Sequence, residues 1–131
     1  MKGLLIVIAA TLCACSRPAP MPDVFAAEIA GWHRTGVQDV PVSQPPDAIP
    51  VKLIQQIRTA TYEGPGKLEA RAYALTSSAV ALDLVQRWEA RPDTVFFYVD
   101  RFLVVVHWQT AEKKAMQPFL FALEKGFTPK K

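Results

Sequence analysis

The sequence predicts an α+β fold in which an antiparallel sheet of four to five strands carries two helices packed on one face. Three observations lead to this prediction. Half of the residues are apolar, as is typical of a globular domain. Residues 54–75 and 94–108 each have the pattern of a β-hairpin, and a segment with helical periodicity follows each of them. Two strand–strand–helix units in ββα-ββα order are therefore predicted to form a single domain.

The first 14 residues have the pattern of a secretory signal peptide. Lys2 precedes an apolar run from Leu4 to Leu12, and small residues follow this run. The run is too short for a transmembrane helix, which needs about 20 apolar residues. We therefore expect residues 1–14 to be cleaved from the mature protein.

Residues Leu12-Cys13-Ala14-Cys15 resemble the lipobox of bacterial lipoproteins. The resemblance implies cleavage before Cys15, thioether lipidation of its sulfur and acylation of the new amino terminus by a fatty acid such as palmitate. Ser16 stands at the position where Asp retains such lipoproteins at the inner membrane. The resemblance therefore implies a lipoprotein anchored in the outer membrane and facing the periplasm.

The two cysteines do not have the pattern of a metal or redox pair. A C-x-C site needs further Cys or His ligands nearby, and the two histidines, His33 and His107, stand at no ligand-like spacing. Cys13 is also expected to leave with the signal peptide. No metal site and no cofactor are predicted.

Proline and small residues alternate from Ser16 to Pro22, so residues 15–24 are predicted to form an extended tether with a length of about 3.1 Å per residue. Residues 25–131 remain for the domain. Loss of Lys2 leaves 14 basic and 12 acidic residues in the mature chain, and the basic residues are scattered. This near balance predicts no nucleic-acid partner.

The first half of the domain is predicted as follows. Residues 25–37 form one helical turn and then a strand entered at Gly31, and a proline-rich loop follows at residues 40–50. Residues 54–62 and 68–75 form the first hairpin, with EGPGK as its turn.

The first helix is predicted to begin at a cap formed by Thr76, Ser77 or Ser78 and to end before Arg91-Pro92-Asp93. Its apolar stripe consists of Val80, Leu84, Val85 and Trp88.

The second hairpin is predicted at residues 94–99 and 102–108, with its turn at Asp100-Arg101. Both of its faces are apolar, so the pair is predicted to lie in the centre of the sheet.

The second helix is predicted from Thr110 to Gly126, and Pro118 lies inside it. Either the helix is kinked near residues 114–117, or it begins near Gln117. We predict a kink, because one apolar stripe continues across the proline: Met116, Leu120 and Leu123.

No set of residues in the sequence has the pattern of a catalytic site. His107 shares a strand face with Leu103 and Val105. A catalytic histidine needs a carboxylate or another ligand beside it, and Asp100 lies seven positions earlier, across the hairpin turn. We interpret His107 as a structural histidine in the sheet. Ser77 and Ser78 lack a G-x-S-x-G elbow and are interpreted as helix caps.

Phe96 and Phe97 alternate along one strand, so an apolar side chain is expected on the sheet face that carries no helices. That face is either covered by residues 25–49 or exposed as a binding surface for an envelope protein or a small apolar ligand. The candidate surface residues are Phe96, Tyr98, His107 and Trp32.

The segments GWHRTG, RTATYEGPG, AYALTSSAVALDLVQRW and FLVVVHW resemble, in this order, a family of bacterial envelope proteins known only as a domain of unknown function. The resemblance covers residues 31–125 and implies one compact α+β domain without assigning catalytic residues. We therefore predict a non-catalytic binding or envelope-accessory lipoprotein. The alternative is a hydrolase-like or accessory enzyme that uses His107 with a nearby carboxylate.

Overall fold

The computed structural model describes residues 21–89, 91–109 and 113–128. The signal peptide, the lipobox with Cys15 and the tether as far as Pro20 lie outside the described residues. So does Thr110, the predicted start of the second helix. None of the helices in these three ranges is long and apolar enough to cross a membrane.

One antiparallel sheet of six strands forms a half-barrel, with the strand order β1-β2-β3-β4-β6-β5. Strands account for 41% of the described residues and helices for 27%, so the sheet is the framework of the domain. A short 3₁₀ helix at Val51–Leu53 precedes β3. The strands and helices are β1 (Glu28–Ile29), β2 (Trp32–Val40), β3 (Ile54–Glu63), β4 (Lys67–Leu75), α1 (Ser78–Arg87), β5 (Thr94–Val99), β6 (Phe102–Trp108) and α2 (Lys113–Phe127).

The predicted fold is wrong in the number of strands and in the placement of the helices. The sheet has six strands instead of four to five, because residues 28–40 form two strands. Ala30 and Gly31 adopt positive φ angles of 49° and 87°, and this tight turn folds β1 back onto β2 where a helical turn was expected. From β3 onward the elements follow the two-unit order, but the helices lie on opposite faces of the sheet.

The first core lies between the sheet and α2. Alanines at positions 60, 70, 72 and 74 face this side, and α2 packs large side chains against them. The amino-terminal segment also belongs here, because Met21 and Phe25 are buried. The folded structure therefore includes Met21, which the sequence places in the tether. The buried α2 residues are Met116, Phe119, Leu123 and Phe127.

The second core lies on the other face, beneath α1. Here the sheet presents larger side chains, among them Tyr73, Leu75 and Leu103, and α1 places the small Ala81 against them. In each core, alanine side chains lie beside larger apolar ones, and this difference in size allows close packing. The two faces of β4 differ in side-chain size, with Ala70, Ala72 and Ala74 on the α2 side and Tyr73 and Leu75 on the α1 side.

The chain path also separates the helices. Strands β4 and β5 both run antiparallel to β6, so they are parallel to each other, and α1 is the crossover between them. Chain handedness restricts such a crossover to one face. No strand follows α2 in the described part of the chain, so packing alone decides its face.

Both predicted hairpins are present. β3 and β4 are joined by Gly64-Pro65-Gly66, and β5 and β6 by Asp100-Arg101. The second hairpin is not wholly central, however, because β6 lies between β4 and β5 while β5 forms an edge. Of the three possible caps for α1, Ser77 is the one used: its Oγ accepts a hydrogen bond from the backbone N–H of Val80 at 3.2 Å.

Helix α2 continues through Pro118 as one helix, so it does not begin near Gln117. Proline has no N–H, and the carbonyl of Lys114 therefore lacks the usual intrahelical donor. The packing of Phe119, on the first core, stabilises the helix across this interruption.

Candidate ligand-binding cleft

A cleft of about 700 Å³ opens on the α1 side of the sheet. It lies beside the carboxyl end of α1, and β4, β5 and β6 each contribute one lining side chain, namely Arg71, Thr94 and His107. The proline-rich loop at residues 41–50 forms the opposite wall. Most of the lining side chains are charged or polar: Asp47, Arg71, Arg87, Glu89, Arg91, Asp93, Thr94 and His107, beside Trp88, Pro46 and Ala48.

Asp47 fixes the loop wall to the sheet. Its Oδ1 accepts a hydrogen bond from Nη1 of Arg71 at 2.7 Å, and its Oδ2 accepts a short hydrogen bond from the hydroxyl of Tyr73. The backbone N–H of Asp47 donates to the same tyrosine oxygen at 3.2 Å. The side chains of Arg71 and Asp47 are only 16% and 15% exposed, so this contact is largely shielded from water.

Arg71 has a second carboxylate neighbour, Glu69. Its Nε lies 2.8 Å from Oε1 of Glu69, but without the alignment of a hydrogen bond, so the contact is ionic. Burial alone would lower the pKa of Arg71; Asp47 and Glu69 offset this effect and raise the pKa above its ordinary value. Burial, followed by the hydrogen bond to Asp47, also raises the pKa of Tyr73 far above its ordinary value. Arg71 therefore stays charged and Tyr73 neutral.

His107 lies on the α1-side face of β6, as its alternation with Leu103 and Val105 predicts. Its Nδ1 is 3.3 Å from Oγ1 of Thr94 and 3.6 Å from Oδ2 of Asp93. The distance to Asp93 is longer than a hydrogen bond. Within the described residues, no partner contacts Nε2 of His107, and the ring lines the cleft.

The remaining arginines differ in their partners. Nη2 of Arg87 lies 3.2 Å from Oδ1 of Asp83 one helical turn earlier. Arg91 has no ion pair with any of the described residues. Trp88 caps the end of α1, and its ring packs against Phe96 with ring centroids 5.7 Å apart and an interplanar angle of 46°.

The predicted surface residues do not form one patch. Phe96, Tyr98 and His107 lie on the α1-side face, where Phe96 is half-buried against Trp88 and Tyr98 is 36% exposed. Trp32 lies on the opposite face and is fully buried, with its Nε1 donating to the carbonyl of Ala115 at 3.2 Å. A ligand in the cleft contacts His107 but cannot reach Trp32. His33 is exposed beside Glu28 at the β1–β2 edge.

Sequence reasoning did not find three residues that shape the cleft, namely Asp47, Arg71 and Asp93. Arg71 carried a signal, because a charged side chain in the middle of a strand whose neighbours are buried needs a partner. Its partner Asp47 lies 24 positions away in a loop, and spacing cannot reveal such a contact. In the sequence Asp93 has only the pattern of a helix stop, and spacing along the hairpin indicates Asp100 as the carboxylate for His107.

The described residues contain no group of three or more His, Cys, Asp or Glu side chains arranged to hold a metal ion. Comparisons with protein-family models, with curated proteins and with solved structures find no match to this chain.

Proposed function

We propose that the mature protein is a non-catalytic binding protein, anchored through Cys15 in the outer membrane and facing the periplasm, which holds a small polar ligand in the cleft beside α1. The single observation that carries the binding proposal is the cleft itself, about 700 Å³ in volume and walled by charged and polar side chains. This volume falls within the range of roughly 300–1,000 Å³ that is typical of ligand sites.

The contacts of the loop wall favour a cleft that is formed before the ligand binds over one that the ligand must order. Asp47, Arg71 and Tyr73 hold the loop on the sheet without a ligand, so the cleft is formed before binding. A preformed site avoids the entropy loss of ordering a loop when the ligand binds. The polar walls favour a polar ligand over the apolar one that the sequence predicts.

Ligand-induced stabilisation tests the binding proposal. The mature lipidated protein in detergent micelles is screened against polar small molecules by thermal unfolding. A true ligand raises Tm in wild type and raises it less in Arg91→Ala, because Arg91 lines the cleft without an ion-pair partner there. Lys113→Ala, an exposed change on α2, is the matched control. Equal Tm shifts in both variants would place the ligand elsewhere and contradict the proposal.

Replacing Cys15 with Ser tests the anchor. We expect loss of fatty-acid labelling and release from the membrane fraction, since the lipobox resemblance places the thioether on this sulfur. Cys13→Ser is the control and should keep both properties. Labelling that persists in Cys15→Ser would show that the anchor is attached at another residue.

A second candidate function rests on the position of His107. A histidine with a carboxylate near Nδ1 and a free Nε2 in an open cleft has the arrangement of a general base. The Nδ1–Oδ2 distance of 3.6 Å must shorten for Asp93 to orient the ring. Hydrolysis of esters or amides that is lost in both His107→Gln and Asp93→Asn would favour this candidate. Activity unchanged in both variants would remove it.

A further inference from the structure

The charges of the cleft favour a ligand without net charge. Three arginines and three carboxylates line the cleft, so its walls carry no excess of either sign. Arg71 is already held by Asp47 at 2.7 Å and lies 2.8 Å from Glu69. An anionic ligand could pair with Arg71 only by displacing a shielded carboxylate, and the loss of one partner from such a pair is strongly unfavourable.

The exposed polar groups of the cleft include both donors and acceptors. Arg91 donates, and the carboxylates of Glu89 and Asp93 accept. A hydroxyl group both donates and accepts, so each hydroxyl of a polyhydroxyl compound can bond either to the donor Arg91 or to the acceptors Glu89 and Asp93. A carboxylate or phosphate ligand only accepts, and it would leave Glu89 and Asp93 facing a like charge.

Trp88 adds an apolar surface among these polar groups. It is half-buried, its ring packs on Phe96, and the packing limits the orientations available to the indole. A Trp side chain combines a large apolar ring with one polar N–H group, so it suits a ligand that is apolar on one side and polar on the other. A sugar ring has this character, with C–H groups on its faces and hydroxyls around its rim.

We propose that the cleft binds a neutral saccharide, whose ring stacks on Trp88 while Arg91, Glu89 and Asp93 hydrogen-bond its hydroxyls. This inference rests on the proposed binding function and specifies the ligand class of the same cleft.

Isothermal titration calorimetry of the mature lipidated protein tests the inference. The protein is held in a zwitterionic detergent, because detergents with sugar headgroups would compete for the site. The probes are maltotriose and tri-N-acetylchitotriose as neutral saccharides, citrate as an anion, and alanyl-alanine as a zwitterion. We expect binding of at least one saccharide and no binding of citrate or the dipeptide.

Variants then locate the saccharide. Trp88→Leu keeps an apolar contact with Phe96 but removes the stacking surface, and we expect at least a tenfold loss of affinity. Asp93→Asn, at an exposed position, should lower affinity several-fold through its altered hydrogen bonds. Phe121→Ala, an exposed aromatic change on α2, is the control and should bind like wild type. Saccharide affinity unchanged in both cleft variants would overturn the inference.

The probe panel separates two kinds of failure. Binding of citrate or alanyl-alanine without binding of a saccharide would overturn the saccharide inference and leave the cleft as a ligand site. Absence of binding by all four probes would overturn both the inference and the proposed binding function.

Discussion

At the scale of single residues, the molecule keeps two tyrosine hydroxyls away from water. The hydroxyl of Tyr73 donates to Asp47, and that of Tyr62 donates to the carbonyl of Ala26 at 2.8 Å. Each hydroxyl attaches a segment of irregular chain to the sheet, one on each face. These hydrogen bonds therefore replace regular secondary structure in holding the loop at residues 41–50 and the amino-terminal segment.

Alkaline pH should destabilise the fold through these tyrosines. Burial, with a smaller opposing effect of Arg34 and a further increase from Asp23, raises the pKa of Tyr62 to about 12. In the unfolded chain this phenol ionises near its ordinary pKa of about 10. Above that pH the unfolded state binds fewer protons than the folded state, so the free energy of unfolding falls as pH rises towards 12.

Urea unfolding of Tyr62→Phe between pH 8 and pH 11.5 measures this effect. At pH 8 we expect the variant to be less stable than wild type by about 1 kcal/mol, the usual value of one hydrogen bond. The difference should shrink above pH 10, because phenylalanine has no proton to lose. Tyr98→Phe, at an exposed position, is the control and should follow wild type. A stability difference between wild type and Tyr62→Phe that stays constant to pH 11.5 would contradict the raised pKa of Tyr62.

The sequence places His107 on its strand face but does not reveal the rest of the cleft. Alternation along β6 is a local property, so the face of His107 follows from its neighbours. The contacts of Asp47 depend on how a proline-rich loop returns to β4. Hydrophobic periodicity cannot predict the path of such an irregular loop. A polar site built from a loop, three strands and a helix end therefore becomes visible only in three dimensions.

At the scale of elements, the hairpins and α1 are predictable because short loops and a serine cap determine them locally. The placement of α2 cannot be predicted from the sequence, because both faces of β4 and β6 are apolar enough to receive a helix. The structure places the small Ala70, Ala72 and Ala74 on the face that α2 covers, and Tyr73 and Leu75 on the other face.

Phe119→Ala tests this account of α2. Phe119 is fully buried, and its ring meets the edges of Trp32 and Tyr62 at centroid distances of 6.0 and 5.0 Å. We expect a loss of about 3–5 kcal/mol of unfolding free energy, measured by urea unfolding, because the truncation leaves a cavity in the first core. Phe121→Ala on the same helix, where the side chain is 63% exposed, should change stability by less than about 0.5 kcal/mol. Similar losses in both variants would contradict this packing.

At the scale of the whole molecule, the two faces of the sheet have different surroundings. The amino-terminal segment packs on the α2 side through Met21 and Phe25, whereas the cleft opens on the α1 side. Met21 lies six positions after the proposed anchor at Cys15, a reach of at most about 20 Å. We therefore expect the proposed anchor to hold the α2 side towards the lipid and to leave the cleft facing the aqueous space.

Single-cysteine labelling tests this orientation, because Cys15, the one cysteine expected in the mature chain, has its sulfur blocked in the proposed thioether. Arg87→Cys places a thiol on exposed α1, and Phe121→Cys places one on exposed α2. In lipid vesicles we expect a bulky maleimide to modify the α2 thiol several-fold more slowly than the α1 thiol, because the membrane surface shields it. In detergent micelles, where no extended membrane surface shields α2, the labelling rates of the α1 and α2 thiols should converge. Equal rates in vesicles would mean that the domain rotates freely on its tether, and the cleft would then have no fixed direction relative to the membrane.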